Sequence, residues 1–400
     1  MKRVSSIFLV LFLVFLLAAC NSEVLPADAE TSAPETTAVP AMDNIIKIGI
    51  IEPMTGDSNV GGNQELLGIN FAHRNKSSVM IGDKKYKIQL EKIDDKSSYK
   101  NAKAAAEKLL SSGVCAVIGS YGSSQTAAIV QALSKTDVPV IGVNCTSVNL
   151  PSKNDSFFRM CQQDSNLSTK FAKFSKDYLS AKKAYVLSEI GNDDSQTAAY
   201  MFTQKFTASG GKAINETFEK GTRDFKSLLK NAVKQKCDMI FVPIPPTYSE
   251  NIISQAYELK FNAPILAPTS WDTHSALEAA WNYDAELYAA SFVKENEENK
   301  FYYNIQEWIN NDAKALKLNG GKLTISSATV LSYDAYNTLI AAIVAAKSIQ
   351  PQDIKKAMAN VNHNGVSGKI SFNSSGNNKG VNLYMKKADI VNDIWKYVAI

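Results

Sequence analysis

From Ile45 onward the chain alternates between short apolar runs of strand type and longer stretches with helical spacing, and few folds accommodate that rhythm. Ile45-Ile46-Lys47-Ile48-Gly49-Ile50-Ile51 is nearly all β-branched, as in a strand covered on both faces. Helical spacing follows over residues 64–75, strand alternation over 86–93, and a further helix over 101–110. Residues 114–118 read as a short strand ending at Gly119, 123–134 as a helix that starts with small residues, and 138–143 as the next strand. The rhythm restarts after residue 164, with strands expected at 184–188, 213–217, 239–243 and 265–267 and helices between them. Repeated βα units demand parallel sheets with helices on both faces, and two blocks of similar length predict two Rossmann-like lobes. Residues 331–349 read as an Ala-rich helix whose apolar stretch, 339–346, is too short to span a bilayer and fits a buried core helix. The last block, 368–400, carries short strands around an Asn/Ser/Gly turn at 373–378.

The first 44 residues do not share this pattern. Lys2 and Arg3 precede an apolar run from Ile7 to Leu17, and Leu17-Ala18-Ala19-Cys20 closes it. A basic start, an apolar stretch of about 11 residues and a small-residue cleavage site make an export signal rather than a membrane span. The final four residues resemble a bacterial lipobox, which implies cleavage after residue 19 and a diacylglyceryl group on the Cys20 thiol. Residues 20–44 are dominated by Pro, Thr, Ser, Ala and Glu without apolar periodicity, so they are expected to form a tether. The expected arrangement is a protein body held by lipid at the outer face of a membrane.

Composition and motifs remove several function classes. Forty-three basic against 39 acidic residues give a net charge of +4, which is no footprint of nucleic-acid binding. The sequence has no phosphate-binding loop, no dinucleotide glycine fingerprint and no nucleophile elbow. Its three histidines, His73, His274 and His363, lie far apart and outside any metal-ligand spacing. An enzyme is therefore not expected, nor is a metal or cofactor. Cys115 and Cys237 read as small buried hydrophobes, while Cys145 and Cys161 could pair outside the cell, a point that spacing leaves open.

In open parallel sheets, ligands bind beyond the carboxyl ends of the strands. Two loops at such ends carry hydroxyls: Gly119-Ser120-Tyr121-Gly122-Ser123-Ser124 and Asn144-Cys145-Thr146-Ser147. Hydroxyls and free N–H groups at a helix N-terminus suit a carboxylate, although Ser123 and Thr146 read equally well as plain helix caps. Two such loops on neighbouring strands favour a site.

The stretch IKIGIIEPMTGDSNVGGNQELLGINFA is similar to the opening of the type I periplasmic solute-binding proteins of the leucine/isoleucine/valine-binding family. The segment from KIQLEKIDDKSS to VPVIGVNCTS, then FFRMCQQDS, NDDSQTAAY, PPTYSEN, PILAPTSWD, SYDAY and GVSGKISFNSSGN follow in that family's order. The resemblance implies two α/β lobes joined by three crossovers, near residues 161–164, 291–294 and 363–366. Lobe 1 would comprise 45–162 plus 293–364, and lobe 2 would comprise 163–292 plus 365–400. It also implies a small-molecule ligand, an amino acid or related small carboxylate, delivered to an ABC permease. Carried onto this chain, Ser123, Ser124 and Thr146 would hold the ligand carboxylate, with the Asn144 carbonyl and the Thr146 hydroxyl on its ammonium group. Thr247, Tyr248, Thr269 and Trp271 would stand on the second wall. Three positions depart from the family pattern. Asp194 follows Asn192-Asp193 where a Tyr is often found. Thr269 stands where an acidic ammonium partner is usual, and Gly61 where an aromatic is usual. A buried ammonium without a counter-charge is costly. Either Asp194 or Asp193 supplies the charge from another wall, or the ligand is an amide, a urea-type molecule or another compound without an ammonium group.

Overall fold

The structure is a computed structural model that describes residues 44–150, 155–295, 298–391 and 394–400, so the export signal, Cys20 and the expected tether lie outside the described residues. In the first lobe, strands β1 (Ile45–Glu52), β2 (Ser78–Ile81), β3 (Lys84–Asp94), β4 (Ala116–Gly119), β5 (Val140–Gly142) and β6 (Phe157–Arg159) form one sheet in the order β2-β3-β1-β4-β5-β6. The second sheet takes β7 (Lys183–Glu189), β8 (Lys212–Phe218), β9 (Met239–Phe241), β10 (Ile265–Ala267) and β11 (Leu287–Ser291). After the hairpin of β12 (His363–Gly365) and β13 (Gly368–Ile370), β14 (Tyr384–Val391) and β15 (Ile394–Ala399) complete it in the order β15-β14-β11-β10-β9-β7-β8. The sheets are parallel except at three strands. β2 pairs antiparallel with β3, β14 with β11, and β15 with β14. Both sheets are thus parallel-rich, as the repeated βα units require. β2 escapes a sequence reading because it is four residues long and buries only Val79.

Helices cover both sheets. Those that position the cleft are α1 (Asn59–Asn75), α2 (Tyr99–Ser111), α3 (Ser123–Leu133), α4 (Asp164–Asp177) and α5 (Asp193–Ala208). α1 starts a turn earlier than its apolar spacing suggests, because Gly61 and Gly62 hide the first turn from any propensity argument. The long helix Ser327–Ala346, capped by the Ser326 hydroxyl, buries most of its length, which is why it is apolar nearly all round. It packs against α1 at Gly68, where a Cβ would lie 2.0 Å from the Thr329 carbonyl oxygen, so only glycine permits this approach. Residues 363–366, expected near the third crossover, fall within the β12–β13 hairpin. Asp334 of the long helix holds it by accepting the Val366 and Ser367 N–H groups at 2.9 and 2.7 Å. The chain then runs beside the first crossover, with Asn378 N–H on the Arg159 carbonyl at 3.0 Å, before reaching the second sheet at Tyr384.

A buried ion cluster ties these parts together. The Asp272 carboxylate accepts the Ser291 hydroxyl at the end of β11 at 2.9 Å and the Ser327 N–H at the start of the long helix at 3.2 Å. Lys386 of β14 donates to both Asp272 oxygens and to Glu295, each at 3.2 Å. Burial alone would push the Lys386 ammonium down, and the Asp272 and Glu295 carboxylates hold it above its ordinary value. Removing one partner of such a pair strands the other charge in the core. Lys386→Met is therefore expected to cost about 3–5 kcal/mol in urea unfolding, with partial recovery in the Lys386→Met/Asp272→Asn double variant. A loss under about 1 kcal/mol, the value of a surface pair, would show that the cluster does not hold the fold.

Candidate ligand-binding site

The carboxyl-end loops of the two sheets face each other across a cleft with an inner chamber of about 180 Å³ and an outer vestibule of about 770 Å³. The two meet at Asp57, Ser58, Gly122, Ser123, Asn192, Asp194 and Pro245. The inner volume lies below the ~300–1,000 Å³ of pockets for drug-sized ligands and suits one small molecule. Apolar wall is supplied by Tyr121, Leu167, Phe171, Phe241 and Ile244. Across the mouth, Lys220 of the second lobe forms a salt bridge with Asp57 of the first; both side chains are largely exposed, so the bridge adds little stability.

Of the residues expected from sequence, Ser123, Asn144, Thr146, Asp194 and Thr269 line the inner chamber. Ser124, Thr247 and Tyr248 border only the vestibule. The Tyr248 hydroxyl is engaged by Glu189 at 2.6 Å and by the Gly221 N–H at 3.0 Å. Trp271 borders neither cavity and is 0% exposed. Its indole N–H donates to the Ile244 carbonyl at 2.8 Å, so it braces the wall from behind, where burying so large an apolar ring gains most.

The first-lobe loops are rigidly held. Tyr121 N–H donates to Glu52 at 3.0 Å, the Ser120 hydroxyl to Asp95 at 2.5 Å, and the Thr126 hydroxyl to the Ser120 carbonyl at 2.9 Å. Gly122 rather than Ser123 occupies the cap position of α3, so the Ser123 hydroxyl is not used for capping. It accepts the Ser147 N–H at 3.1 Å instead and so fastens the two hydroxyl loops to each other. Arg159 fixes the second loop from below, donating to the carbonyls of Thr146 at 3.2 Å and Ser147 at 2.9 Å.

The chamber is acidic. Among the described residues its charged lining groups are Asp57, Asp164 and Asp194, without Lys, Arg or His. Asp194, in the first turn of α5, reaches across the cleft and accepts the Ser123 N–H at 3.4 Å. Its carboxyl is raised by burial and by Asp193, against the hydrogen bonds from Ser123. Asp164, the first residue of α4, is 5% exposed, and its Oδ2 has no hydrogen-bond partner. Burial pushes it up to about 6; the Thr146 hydroxyl opposes the shift, Asp194 adds to it, and Arg159 opposes it again. Sequence reasoning missed Asp164, since an Asp at the start of a helix is ordinarily explained by the helix dipole. The signal was its position at a lobe crossover. Tyr121 was missed too. Its ring lies over Gly61, where a Cβ would meet the ring at 2.3 Å, so the aromatic absent at position 61 is supplied from the facing loop.

Beneath the loops lies a second acid pair, Glu52 at the end of β1 and Glu65 in α1, both 0% exposed. Glu52 Oε1 and both Glu65 carboxyl oxygens lack donors, a need that one shared proton meets in part. Burial raises both carboxyls, Glu65 to about 8, and the neighbouring Glu65 raises Glu52 further. The folded state thus keeps a proton that the unfolded chain releases near its ordinary value of 4.5, so stability falls as pH rises from there to about 8. Glu65→Gln is expected to flatten this slope, read from urea midpoints at about pH 5 and about pH 8. Equal slopes in both proteins would exclude a shared proton.

Comparison with known proteins bears on this geometry. Residues 45–389 match the Periplasmic binding protein family. The Leu/Ile/Val-binding protein BraC3 of Rhizobium johnstonii is 24% identical over 225 residues, covering 55% of this chain and 60% of that protein. A Leu/Ile/Val-binding protein homolog of Brucella abortus is 22% identical over 207 residues, covering 51% and 52%. The chain thus spans about half to three fifths of these curated relatives. In structure it is similar to the leucine-binding protein LivK of Thermotoga maritima, with a TM-score of 0.78 at 24% identity over 89% of this chain and 98% of the other. It is also similar to a Rhodopseudomonas palustris solute-binding protein in complex with 3,4-dihydroxybenzoic acid, with a TM-score of 0.76 at 19% identity over 89% and 96%. Two parallel-rich sheets, a cleft at their carboxyl ends and a match over nearly the whole body agree: this chain belongs to the periplasmic binding protein family, a family of solute-binding proteins rather than enzymes, on the type I architecture of the leucine/isoleucine/valine-binding proteins.

Proposed function

We propose that this chain is the substrate-binding component of an ABC importer and captures a small amino acid with an apolar side chain between its lobes. One observation carries the choice of ligand: the chamber gathers buried carboxylates, including the unpartnered Asp164 Oδ2, without a cation among its described lining residues. A plain carboxylate would meet like charge there, whereas an ammonium group would supply the missing donor. The ligand carboxylate takes the Ser123 N–H and the Thr146 hydroxyl and displaces Asp194 from Ser123. The freed Asp194 and Asp164 flank the ammonium in place of an acid at position 269. Tyr121, Phe171 and Phe241 cover the side chain. The lobe bounds 45–162 plus 293–364 and 163–292 plus 365–400 belong to the same reading, as does closure of the lobes around the ligand.

Calorimetry with a panel of amino acids and their deaminated analogues tests it. Asp164→Asn is expected to weaken the best amino-acid ligand by about ten- to hundredfold while sparing its deaminated analogue, and Thr269→Ala to change either by less than about threefold. Unchanged affinity in Asp164→Asn would remove Asp164 from the site. Tight binding of an amide or a plain carboxylate, with no amino acid bound, would replace the ligand class.

The chain is further proposed to be held at the outer membrane face by lipid on Cys20, with the permease as its partner in the membrane. The lipobox-like Leu17-Ala18-Ala19-Cys20 motivates this. Mass spectrometry of the mature N-terminus is expected to show a diacylglyceryl-modified Cys20; an unmodified terminus would exclude the anchor.

A further inference from the structure

Cys145 and Cys161 stand in contact at a mechanically important place. Parallel pairing puts Gly142 of β5 opposite Arg159 of β6, and the two strands then run out into Cys145 and Cys161 at nearly the same level. The Cys145 N–H donates to the Cys161 sulfur at 3.3 Å. Both residues are buried, at 0% and 1% exposure, and both are free thiols in this structure. Cys145 lies between Asn144 and Thr146, the two chamber residues of the second hydroxyl loop. Cys161 lies in the crossover that runs from β6 to Asp164 at the head of α4.

We propose that Cys145 and Cys161 are a disulfide-forming pair that, once oxidised, ties the ligand-binding loop at 144–146 to the crossover leading into the second lobe. The family to which the chain belongs works outside the cytoplasm, where disulfides form and persist. The oxidant is an external disulfide, of the dithiol-oxidoreductase or small-molecule class. The Cys161 thiolate attacks one of its sulfurs, the external S–S bond breaks, and one external thiolate leaves. Cys145 then loses its proton and attacks the Cys161 sulfur, forming the protein S–S bond and expelling the second thiolate. Two protein thiols thereby lose two electrons and two protons, and the external disulfide gains both.

Because both sulfurs are inaccessible in the folded lobe, oxidation belongs to the folding of the exported chain. The linkage removes freedom between two segments that the Arg159 side chain and the Thr146 carbonyl otherwise join through hydrogen bonds alone. Cys115 and Cys237 have no part in this. They precede β4 and β9, one in each sheet, and serve as internal controls.

The test uses the full chain isolated from the exterior of cells in non-reducing buffer, alkylated while unfolding and mapped by mass spectrometry. A linked 145–161 peptide pair, about 2 Da lighter than its reduced parts, with Cys115 and Cys237 fully alkylated, is the expected result. Complete alkylation of Cys145 and Cys161 before reduction, or a link to Cys115 or Cys237, would overturn the proposal. A reductant should also lower the thermal midpoint of the wild type by a few degrees and leave Cys145→Ala/Cys161→Ala unmoved. A linked wild type whose midpoint ignores reductant would overturn the claim that the bond ties loop to crossover. Neither outcome alters the ligand reading, which rests on Asp164 and the chamber lining.

Discussion

The buried Asp272 carboxylate is the interaction on which the two-lobe arrangement depends. It joins a turn of the second lobe, the end of β11, the start of the long helix packed on the first lobe, and Lys386 of β14. Each of these groups would be an uncompensated polar atom in the core without the others. Low local dielectric makes the cluster stiff, and that stiffness sits where the chain passes between lobes. Trp271 and Tyr397 extend it. The Tyr397 hydroxyl donates to the Trp271 carbonyl at 2.8 Å, and the Trp271 indole holds the Ile244 carbonyl at the chamber wall. A residue expected to touch ligand thus transmits the rigidity of the ion cluster to the residues that do line the chamber.

Electrostatics of the opposite kind characterise the chamber itself. Asp272 has a buried lysine beside it, whereas Asp164, near Asp194 at the heads of the neighbouring helices α4 and α5, has only the Thr146 hydroxyl and Arg159 to oppose that charge. The first turn of α5 tolerates Asp193 and Asp194 because helix N-termini favour negative charge, and the N-terminus of α3 accepts the Asp194 carboxylate for the same reason. The Ser123 N–H is therefore a carboxylate site that a residue of the facing lobe already satisfies. Any ligand that places a carboxylate there must displace Asp194 and find a use for the freed charge. A zwitterion would do both at once, and the proposed amino-acid ligand rests on that.

The alternation of strand and helix signals was enough to establish parallel-rich sheets and two lobes, because burial on both faces forces continuous β-branched runs such as Ile45 to Ile51. The carboxyl-end rule pointed to the two hydroxyl loops, whose Ser123, Asn144 and Thr146 border the chamber. What sequence could not decide was which side chains turn toward the cleft. Trp271 and Thr269 are two positions apart, yet one faces the core and the other the chamber, because a 3-10 turn at residues 269–271 rotates successive side chains to different sides. Tyr121 and Gly61 are far apart in sequence, and their shared volume exists only once α1 packs beside the β4–α3 loop. Asp164 resembles any helix-opening acid until the fold places it against Asp194, from a helix thirty residues further on. The sequence by itself thus determined the layers and the loops that meet, since hydrophobic period is local. Only the tertiary structure decided the charge of the chamber, since Coulomb interactions depend on distances between groups that the chain keeps far apart.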